Sequence, residues 1–213
     1  AYISKEFEYF NKLGATRVTL FYNGQSGNPF SYVYRNSPVN DNGSGEANDL
    51  IYIPTKAELQ AMTFLPNTVN GLTYTAAQQK ELLNQYIDND KYLKKNRGRF
   101  AERNGARLPF THIVDLKLSQ KVRVKVGSRR VELELTYDVS NFTNMLNKNW
   151  GRTYFMANDN FLLVQFASFV SATDPTPQYR YTPFAGKPYG VSTSLFPGNN
   201  ARYLSQVGAR INF

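Results

Sequence analysis

The chain has 213 residues, enough for one domain with a sizeable core, and it contains no cysteine and a single histidine, which excludes disulfides, thiolate chemistry and a histidine-rich metal site. The net charge of +9 is typical of nucleic-acid-binding proteins. However, the basic residues alternate along strand-like runs or cluster in one loop, without a recognition helix or stacking motif, so we expect no nucleic-acid partner.

The sequence predicts neither a transmembrane helix nor a leader peptide. No run of 18 or more apolar residues occurs, so the sequence predicts no transmembrane helix. No charged and then apolar leader is present, and the chain starts within the strand-like stretch S-K-E-F-E-Y-F. We therefore expect these residues to be a piece of a longer or processed protein.

The first part of the sequence predicts β-strands. Strand-like runs lie at 6–10 and 16–24, with a short turn at 11–15 between them. A third run, at 30–34, either extends the second strand or begins a loop hairpin.

A long insertion then interrupts the strand pattern from 36 to 109. Loops of this length are uncommon in compact domains and are usually functional. Within it, residues 75–87 predict a helix that Thr75 caps, with Gln78 at the capping-box position. The apolar stripe of this helix consists of Leu82, Leu83, Tyr86 and Ile87.

The clearest alternation of the sequence lies at 111–126 and 130–139. Apolar residues occupy one face of each segment, while the other face carries a Lys/Arg row in the first segment and a Glu/Asp row in the second. Gly127 and Ser128 predict a tight turn between the two. Opposite charges on neighbouring strands favour this pairing.

The last part predicts three more strands, at 161–169, at 178–182 and within the terminal segment 201–213. In the terminal segment every second residue is mostly apolar, which is the period of a strand with two different faces. Its apolar face consists of Tyr203, Val207, Ala209, Ile211 and Phe213.

Together these runs predict an all-β, antiparallel up-and-down meander of about seven strands, with a long loop that carries a short helix. A soluble sandwich and a transmembrane barrel both show such alternation. Long strands, aromatic residues near strand ends and alternating short and long connections favour the barrel. The short connections are 11–15, 126–130 and 171–177, and the long ones are the insertion, 141–160 and 184–200.

Several stretches are similar to a known family: G-Q-S-G-N-P-F-S-Y-V-Y at 24–34, N-D-L-I-Y-I-P at 48–54, E-R-N-G-A-R-L-P-F at 102–110 and L-N-K-N-W-G-R-T-Y-F at 146–155. In order and spacing they resemble the last strands of TonB-dependent outer-membrane receptors, especially the Oar-like group with a carboxypeptidase-regulatory-like domain. The end of the chain resembles the strand that the barrel assembly machinery recognises. Val207, Ala209, Ile211 and Phe213 match that pattern, and Ser205 departs from it.

The resemblance implies that residues 1–213 are the C-terminal part of one outer-membrane β-barrel domain of a Gram-negative bacterium. They would form about a third of a barrel of about 22 strands. Such receptors import scarce nutrients into the periplasm and couple to TonB through an N-terminal plug and a TonB box, neither of which lies in these residues. The implied partners are outer-membrane lipid, lipopolysaccharide, the barrel assembly machinery, TonB and an unknown nutrient.

Two other functions stay open at this point. A passive porin-like or structural outer-membrane barrel would use the same strands and would have no plug upstream. A soluble β-rich carbohydrate-binding module would use exposed aromatic residues and would need no detergent.

Candidate binding residues lie in the loops. Trp150, Arg152 and Tyr154 are candidate ligand contacts, and the same residues are typical of an aromatic girdle at a barrel rim with a loop anchor. The basic stretch 91–107 is a candidate for lipopolysaccharide phosphates or an anionic ligand, or it is a solvated loop. The sequence indicates no cofactor.

The sequence does not predict an enzyme. Glu132 and Glu134 lie two apart on one strand face, where the facing basic row explains them as ion pairs, and no G-x-S-x-G motif occurs. The stretch D-N-G-S-G-E at 41–46, with Asp49, offers oxygen ligands for calcium. It lacks the acidic spacing and closing glutamate of an EF-hand loop, so we expect no metal.

Overall fold

The computed structural model describes residues 1–39, 48–156, 158–184, 186–191 and 202–213. Strands make up 50% of the structure and helices 16%, so the chain is mainly β, with antiparallel sheets. Within these ranges no helix has both the length and the apolar character needed to cross a membrane.

Long strands lie near both ends of the chain, while short strands and helices alternate in its middle part. The strands are β1 (Tyr2–Tyr9), β2 (Gly14–Gln25), β3 (Pro29–Arg35), β4 (Tyr52–Ile53), β5 (Thr63–Phe64), β6 (Asn67–Val69), β7 (Leu72–Tyr74), β8 (Arg99–Phe100), β9 (Ala106–Arg107), β10 (Thr111–Val126), β11 (Arg129–Ser140), β12 (Tyr154–Phe155), β13 (Asn160–Phe169), β14 (Pro177–Arg180), β15 (Gly190–Val191) and β16 (Leu204–Asn212). The helices are α1 (Lys56–Ala61), α2 (Ala76–Asn89), α3 (Lys91–Lys95) and α4 (Phe142–Leu146).

The chain divides into two compact units. The sheet unit consists of Ala1–Gly27, Pro109–Phe155 and Gly190–Phe213. The inserted unit consists of Asn28–Leu108 and Met156–Tyr189. The insertion is therefore larger than the loop expected at 36–109, because a second segment of the chain joins it.

The sheet unit contains one five-stranded sheet in the order β1-β2-β10-β11-β16, with every pair antiparallel. Neighbours in the sheet follow one another along the chain, so its topology is up-and-down. Short turns join β1 to β2 and β10 to β11 at one end of the sheet, here called the turn end. The long connections leave from the opposite end, here called the loop end.

The expectation of about seven strands in one meander is wrong. The predicted strands at 161–169 and 178–182 correspond to β13 and β14, which lie in the sheet of the inserted unit. Residues 161–167 form a nearly continuous apolar run without a period of two, and Leu163 and Val164 are buried. Such a run is typical of a strand covered on both faces, whereas a strand of the expected meander has alternating apolar and polar residues.

The hairpin of β10 and β11 confirms the predicted pairing. Gly127 has φ +65° and, with Ser128, forms the two-residue connection, which is the conformation that a hairpin turn with glycine at its first central position requires. Lys117 lies opposite Asp138, and their side chains form an ion pair of 3.2 Å. The opposite charges across these strands thus do pair as the sequence predicts.

The inserted unit has a dry core of the kind found in soluble proteins. Its main sheet has the order β5-β14-β13-β3-β9, and it mixes parallel with antiparallel pairs. The run at 30–34 forms β3, a strand inside this sheet. Among the described residues, ten of the twelve largest fully buried side chains belong to this unit: Tyr32, Val33, Ile51, Ile53, Leu59, Gln79, Leu83, Ile87, Leu93 and Tyr181.

Helix α2 confirms the predicted helix and its cap. The Thr75 hydroxyl accepts a hydrogen bond from the backbone N–H of Gln78, and the Gln78 side chain accepts one from the backbone N–H of Thr75. This capping box satisfies two donors that a helix start leaves without partners. Leu83 and Ile87 of the predicted stripe are buried, so the stripe packs into the core of the inserted unit.

Gln79 is the polar side chain on which that core depends. It is fully buried, its amide donates to the carbonyls of Leu65 (2.8 Å) and Tyr74 (3.0 Å), and its oxygen accepts from the backbone N–H of Tyr181 (2.8 Å). One side chain therefore satisfies backbone groups of three separate segments.

We expect Gln79→Leu to destabilise the inserted unit by roughly 2–5 kcal/mol, because three buried backbone groups lose their partners. Denaturant unfolding, followed by hydrogen exchange of the α2 amides, measures this loss. Gln85→Leu on the exposed side of the same helix is the control, and we expect it to change stability by less than about 0.5 kcal/mol. Equal effects at the two positions would contradict the role given to Gln79.

Candidate functional site

One face of the five-stranded sheet is apolar and exposed over its whole width. Because side chains alternate, each strand contributes every second residue to this apolar face. Leu135 at its centre is 46% exposed and Val207 on β16 is 74% exposed. Other exposed members are Ile3, Phe7, Val122, Val124, Val126, Leu133, Ile211 and Phe213.

The opposite face of the same sheet is polar and internally paired. Arg123 Nε lies 2.7 Å from Glu132 Oε2, and Lys121 Nζ lies 3.5 Å from Glu132 Oε1. On the neighbouring strands, Arg17 Nε donates to Glu6 Oε2 at 2.7 Å. These contacts confirm the expected ion pairs for Glu132. Glu134 instead accepts a hydrogen bond from the Ser119 hydroxyl. The sheet thus separates two different environments.

The apolar face contains a small polar cluster whose members satisfy one another. Gln120 replaces an apolar residue in the β10 row, and its Oε1 accepts from the hydroxyls of Tyr9 (2.8 Å) and Thr16 (2.7 Å). The Gln120 amide donates to the backbone carbonyl of Lys121 at 3.0 Å. Polar groups can therefore lie on this face without water. Lys5, on the outer strand β1, is a charged residue on the same face, with its Nζ 6.0 Å from the centre of the Phe7 ring.

Aromatic side chains lie at both ends of the apolar face. Tyr9 and Phe10 lie at the turn end, where Phe213 also ends the chain. At the loop end, Tyr22 hydrogen-bonds to His112 (Oη to Nδ1, 2.8 Å), and the ring of Phe110 lies 4.7 Å from that of His112. His112 is thus part of an aromatic cluster at the loop end of the sheet.

The three candidate ligand contacts lie together in one groove at this loop end. The groove has a volume of about 270 Å³ and is here called the rim groove. It joins the loop after β11 to the side chains at the start of β10, on the apolar face. Its lining includes Trp150, Arg152, Tyr154, Phe110, His112 and Val114.

A left-handed residue and a glycine shape the loop that carries Trp150. Asn141 directly follows β11 with φ 54°, and it is 1% exposed. Its backbone N–H donates to Asp115 Oδ1 (2.7 Å), and its side-chain amide donates to the Gly151 carbonyl (2.8 Å). Gly151 has φ +59°, and a Cβ at this position would lie 1.8 Å from the Asn141 side-chain oxygen. Only glycine fits both the conformation and the contact.

Arg152 is oriented by the same loop. Its Nε donates to the carbonyl of Lys148 at 3.1 Å, and its terminal nitrogen donates to the side-chain oxygen of Asn149. Trp150 is 52% exposed, and its carbonyl accepts from the Asn144 amide at 2.8 Å. The backbone of the loop is therefore well supported, while the indole ring remains accessible in the groove.

The terminal strand carries the four residues expected to act as an assembly signal. Val207, Ala209 and Ile211 lie opposite Tyr137, Leu135 and Leu133 of β11 and share the apolar face. Phe213 follows β16 and is 89% exposed. The alternation predicted for this segment is confirmed. Recognition by an assembly machinery stays a prediction.

A second cavity, of about 250 Å³, belongs to the inserted unit and is lined by Tyr86, Tyr181, Phe184 and Asp90, among others. Asp90 accepts from the Tyr32 hydroxyl at 2.8 Å, and it caps α3 through two backbone N–H groups. Burial raises the pKa of Tyr32 above its usual range and that of Tyr181 to about 12, so both stay protonated. Asp90, the carboxylate of this cavity, is therefore already used by structural hydrogen bonds.

The basic stretch 91–107 contains one arginine with a structural role. Arg97 donates to the Pro54 carbonyl (2.9 Å) and to Asn84 Oδ1 (2.7 Å), and it forms an ion pair with Asp88 (3.1 Å). Hydrogen bonds from Lys56 and Arg97 lower the pKa of Asp88. No sequence pattern indicated this role, because the partners of Arg97 lie outside its own local segment. Contact of the exposed basic residues with lipopolysaccharide or another anion stays a prediction.

The part of the chain that the structure describes contains no group of three or more His, Asp or Glu side chains that could hold a metal ion. The calcium hypothesis concerned 41–46 together with Asp49, and of these residues only Asp49 is described. Most of the expected loop at 184–200 also lies outside the described residues.

Comparisons of the chain with protein-family models, with curated proteins and with solved structures found no match.

We expect Gly151→Ala to displace the Trp150 loop, because the new methyl group overlaps Asn141 and the backbone must leave its left-handed conformation. The conformational part alone costs about 1–2 kcal/mol. The emission of Trp150, the only tryptophan in the chain, reports the change. Gly127→Ala is the matched control, since it carries the same backbone strain with no atom within 4 Å of the new Cβ. Identical emission spectra of the two variants would contradict the importance of the Asn141 contact.

Proposed function

We propose that the chain is part of the β-barrel of an outer-membrane TonB-dependent receptor, which imports a scarce nutrient into the periplasm. The observation that carries the membrane location is the apolar face, exposed across five strands and opposite a face of ion pairs. The receptor class is supported by the resemblance of the four stretches and the terminal segment described above.

The apolar face argues for lipid as its neighbour. Soluble monomers rarely expose contiguous apolar patches larger than a few hundred Å², and a long apolar sheet in water invites aggregation. A transmembrane barrel has the reverse arrangement, with apolar residues facing lipid and polar residues facing the lumen. The mutual hydrogen bonds of Tyr9, Thr16 and Gln120 fit this environment, because lipid offers them no other partner.

Strand length supports the same conclusion. Strand β10 has 16 residues and β11 has 12, whereas a tilted membrane strand needs about 9–11. The two short turns lie at one end of the sheet and the long connections at the other. Outer-membrane barrels show this asymmetry, with short periplasmic turns and long extracellular loops.

The edges of the sheet support a larger assembly. Among the described strands, β1 and β16 are each paired on one side only. Unpaired edges do not occur in lipid, so further strands would complete the barrel. Five strands would supply about a quarter of a barrel of about 22 strands, rather than the third expected from the sequence. In this proposal the inserted unit belongs to the extracellular connections, where such receptors meet their ligand.

The other two functions make different demands on the molecule. A passive porin-like barrel explains the sheet equally well. It differs from the proposed receptor because the whole protein would show no energy-dependent uptake. A soluble carbohydrate-binding module would have to cover the apolar face with other residues, and the described residues of the sheet unit leave that face exposed.

We expect Leu135→Arg to destabilise the membrane-inserted protein by roughly 2–4 kcal/mol, because Leu135 lies at mid-depth on the lipid face. Thr136→Arg, at the next position on the polar face, should reduce stability only slightly, because the new charge lies on the same face as Glu134. Heat-modifiability on gels and the amount recovered in the outer membrane measure the two variants. If Leu135→Arg proves as mild as Thr136→Arg, the membrane assignment is wrong, because a half-exposed leucine in water tolerates arginine.

A further inference from the structure

We propose that the rim groove binds the phosphate-bearing head group of an anionic lipid of the outer leaflet. The inference rests on the proposed membrane location and adds a specific lipid site to it. It also gives Trp150, Arg152 and Tyr154 a role other than contact with the transported nutrient.

The depth of the groove places it at the membrane surface. A span of about 9–11 residues counted from Val126, at the turn end, reaches Leu118 or Leu116. Phe110, His112 and Val114 follow on the same face, just beyond the hydrocarbon region. The groove therefore lies where head groups begin, and it is continuous with the apolar face below it through Val114.

The lining of the groove matches the two chemical parts of a lipid at this depth. Trp150, Tyr154 and Phe110 offer aromatic surface, which is enriched at membrane interfaces because one end of each ring system is apolar and the other polar. A volume of about 270 Å³ is below that of most sites for drug-sized ligands, so it accepts a head group rather than a large nutrient.

Positive charge at the groove lacks a carboxylate partner. Arg152 lines the groove, and among the described residues it forms no ion pair. Arg152 uses Nε and one terminal nitrogen for the loop, and a guanidinium has five N–H donors, so donors remain for phosphate oxygens. Bidentate binding of phosphate is the interaction for which arginine is best suited.

The position of Arg152 favours a lipid over a soluble anion. A soluble anion site is usually closed around its ligand, whereas this groove opens onto the apolar face. A lipid fills both regions with one molecule, the phosphate at Arg152 and the acyl chains along Val114 and the strands below.

Trp150 makes the proposal directly measurable, because it lines the groove and the emission that Trp150→Phe removes is the signal of this one residue. The experiment titrates lipid A, a phosphorylated lipid, into the complete barrel protein held in phosphatidylcholine bilayers and follows the part of the tryptophan emission that is absent in Trp150→Phe. We expect a saturable blue shift for the wild type and an affinity about tenfold lower for Arg152→Gln, the size of one charged hydrogen bond. Lys125→Gln is the control for charge, since it removes one positive charge from the other face, and it should titrate as the wild type does.

Three outcomes would overturn the proposal. Equal losses of lipid A affinity in Arg152→Gln and Lys125→Gln would show that lipid A is attracted by the overall positive charge of the protein and not by this groove. Saturation by inorganic phosphate alone would show a soluble anion site. An affinity of Arg152→Lys as low as that of Arg152→Gln, with the Trp150 emission already altered in the absence of lipid A, would show that Arg152 only supports the loop.

Failure of the membrane location itself has a different signature. Phosphatidylcholine with brominated acyl chains quenches a tryptophan that lies at the bilayer boundary, with or without lipid A. Absence of this quenching would contradict the proposed function, whereas quenching without a specific response to lipid A would contradict the lipid site alone.

Discussion

A β-strand turns successive side chains to opposite faces, and the sheet unit depends on this geometric constraint. In β10 and β11 the constraint places Val122 and Leu133 on one surface, and Arg123 and Glu132 on the other. A soluble domain would bury one of these surfaces. Here neither is buried in a core, and the charged surface is held together by its own ion pairs. In the proposed function the apolar surface faces lipid and the charged surface faces the barrel lumen, and strand length, turn positions and aromatic ends support that proposal.

In the inserted unit the apolar residues are buried in a core, in contrast to the exposed apolar face of the sheet unit. Its large apolar side chains are dry, and its buried polar groups are satisfied by neighbours that come from distant parts of the chain, as Gln79 and Arg97 show. One polypeptide thus combines a sheet whose apolar residues face outward with a unit whose apolar residues face inward. Along the chain, the change from one unit to the other comes after Gly27, and the chain returns to the sheet unit at Pro109.

Local features of this fold could be predicted from the sequence, and long-range features could not. The capping box at Thr75, the turn at Gly127 and the two faces of the β10–β11 hairpin each depend on residues close in sequence, so the pattern contains the information. The assignment of β13 to another sheet depends on its pairing with β3, more than 120 residues earlier. The rim groove joins residues near 110 to residues near 150, and the sequence suggested only one side of it. Asn141 and Gly151 show how the other side is set by a contact that no local pattern contains.

The cluster of Tyr9, Thr16 and Gln120 has a consequence for how the strands find their partners. A shift of one residue between two strands is prevented by the faces themselves, because it would turn every apolar side chain inward. A shift of two residues keeps the faces and is the error that alternation alone cannot prevent. In the correct alignment Gln120 lies opposite Thr16, and the Thr16 hydroxyl donates a hydrogen bond to the Gln120 side-chain oxygen. After a shift of two, the same polar groups would lie opposite apolar side chains, and in the proposed lipid environment no water could replace the lost hydrogen bonds. These three side chains therefore favour one alignment of β1, β2 and β10.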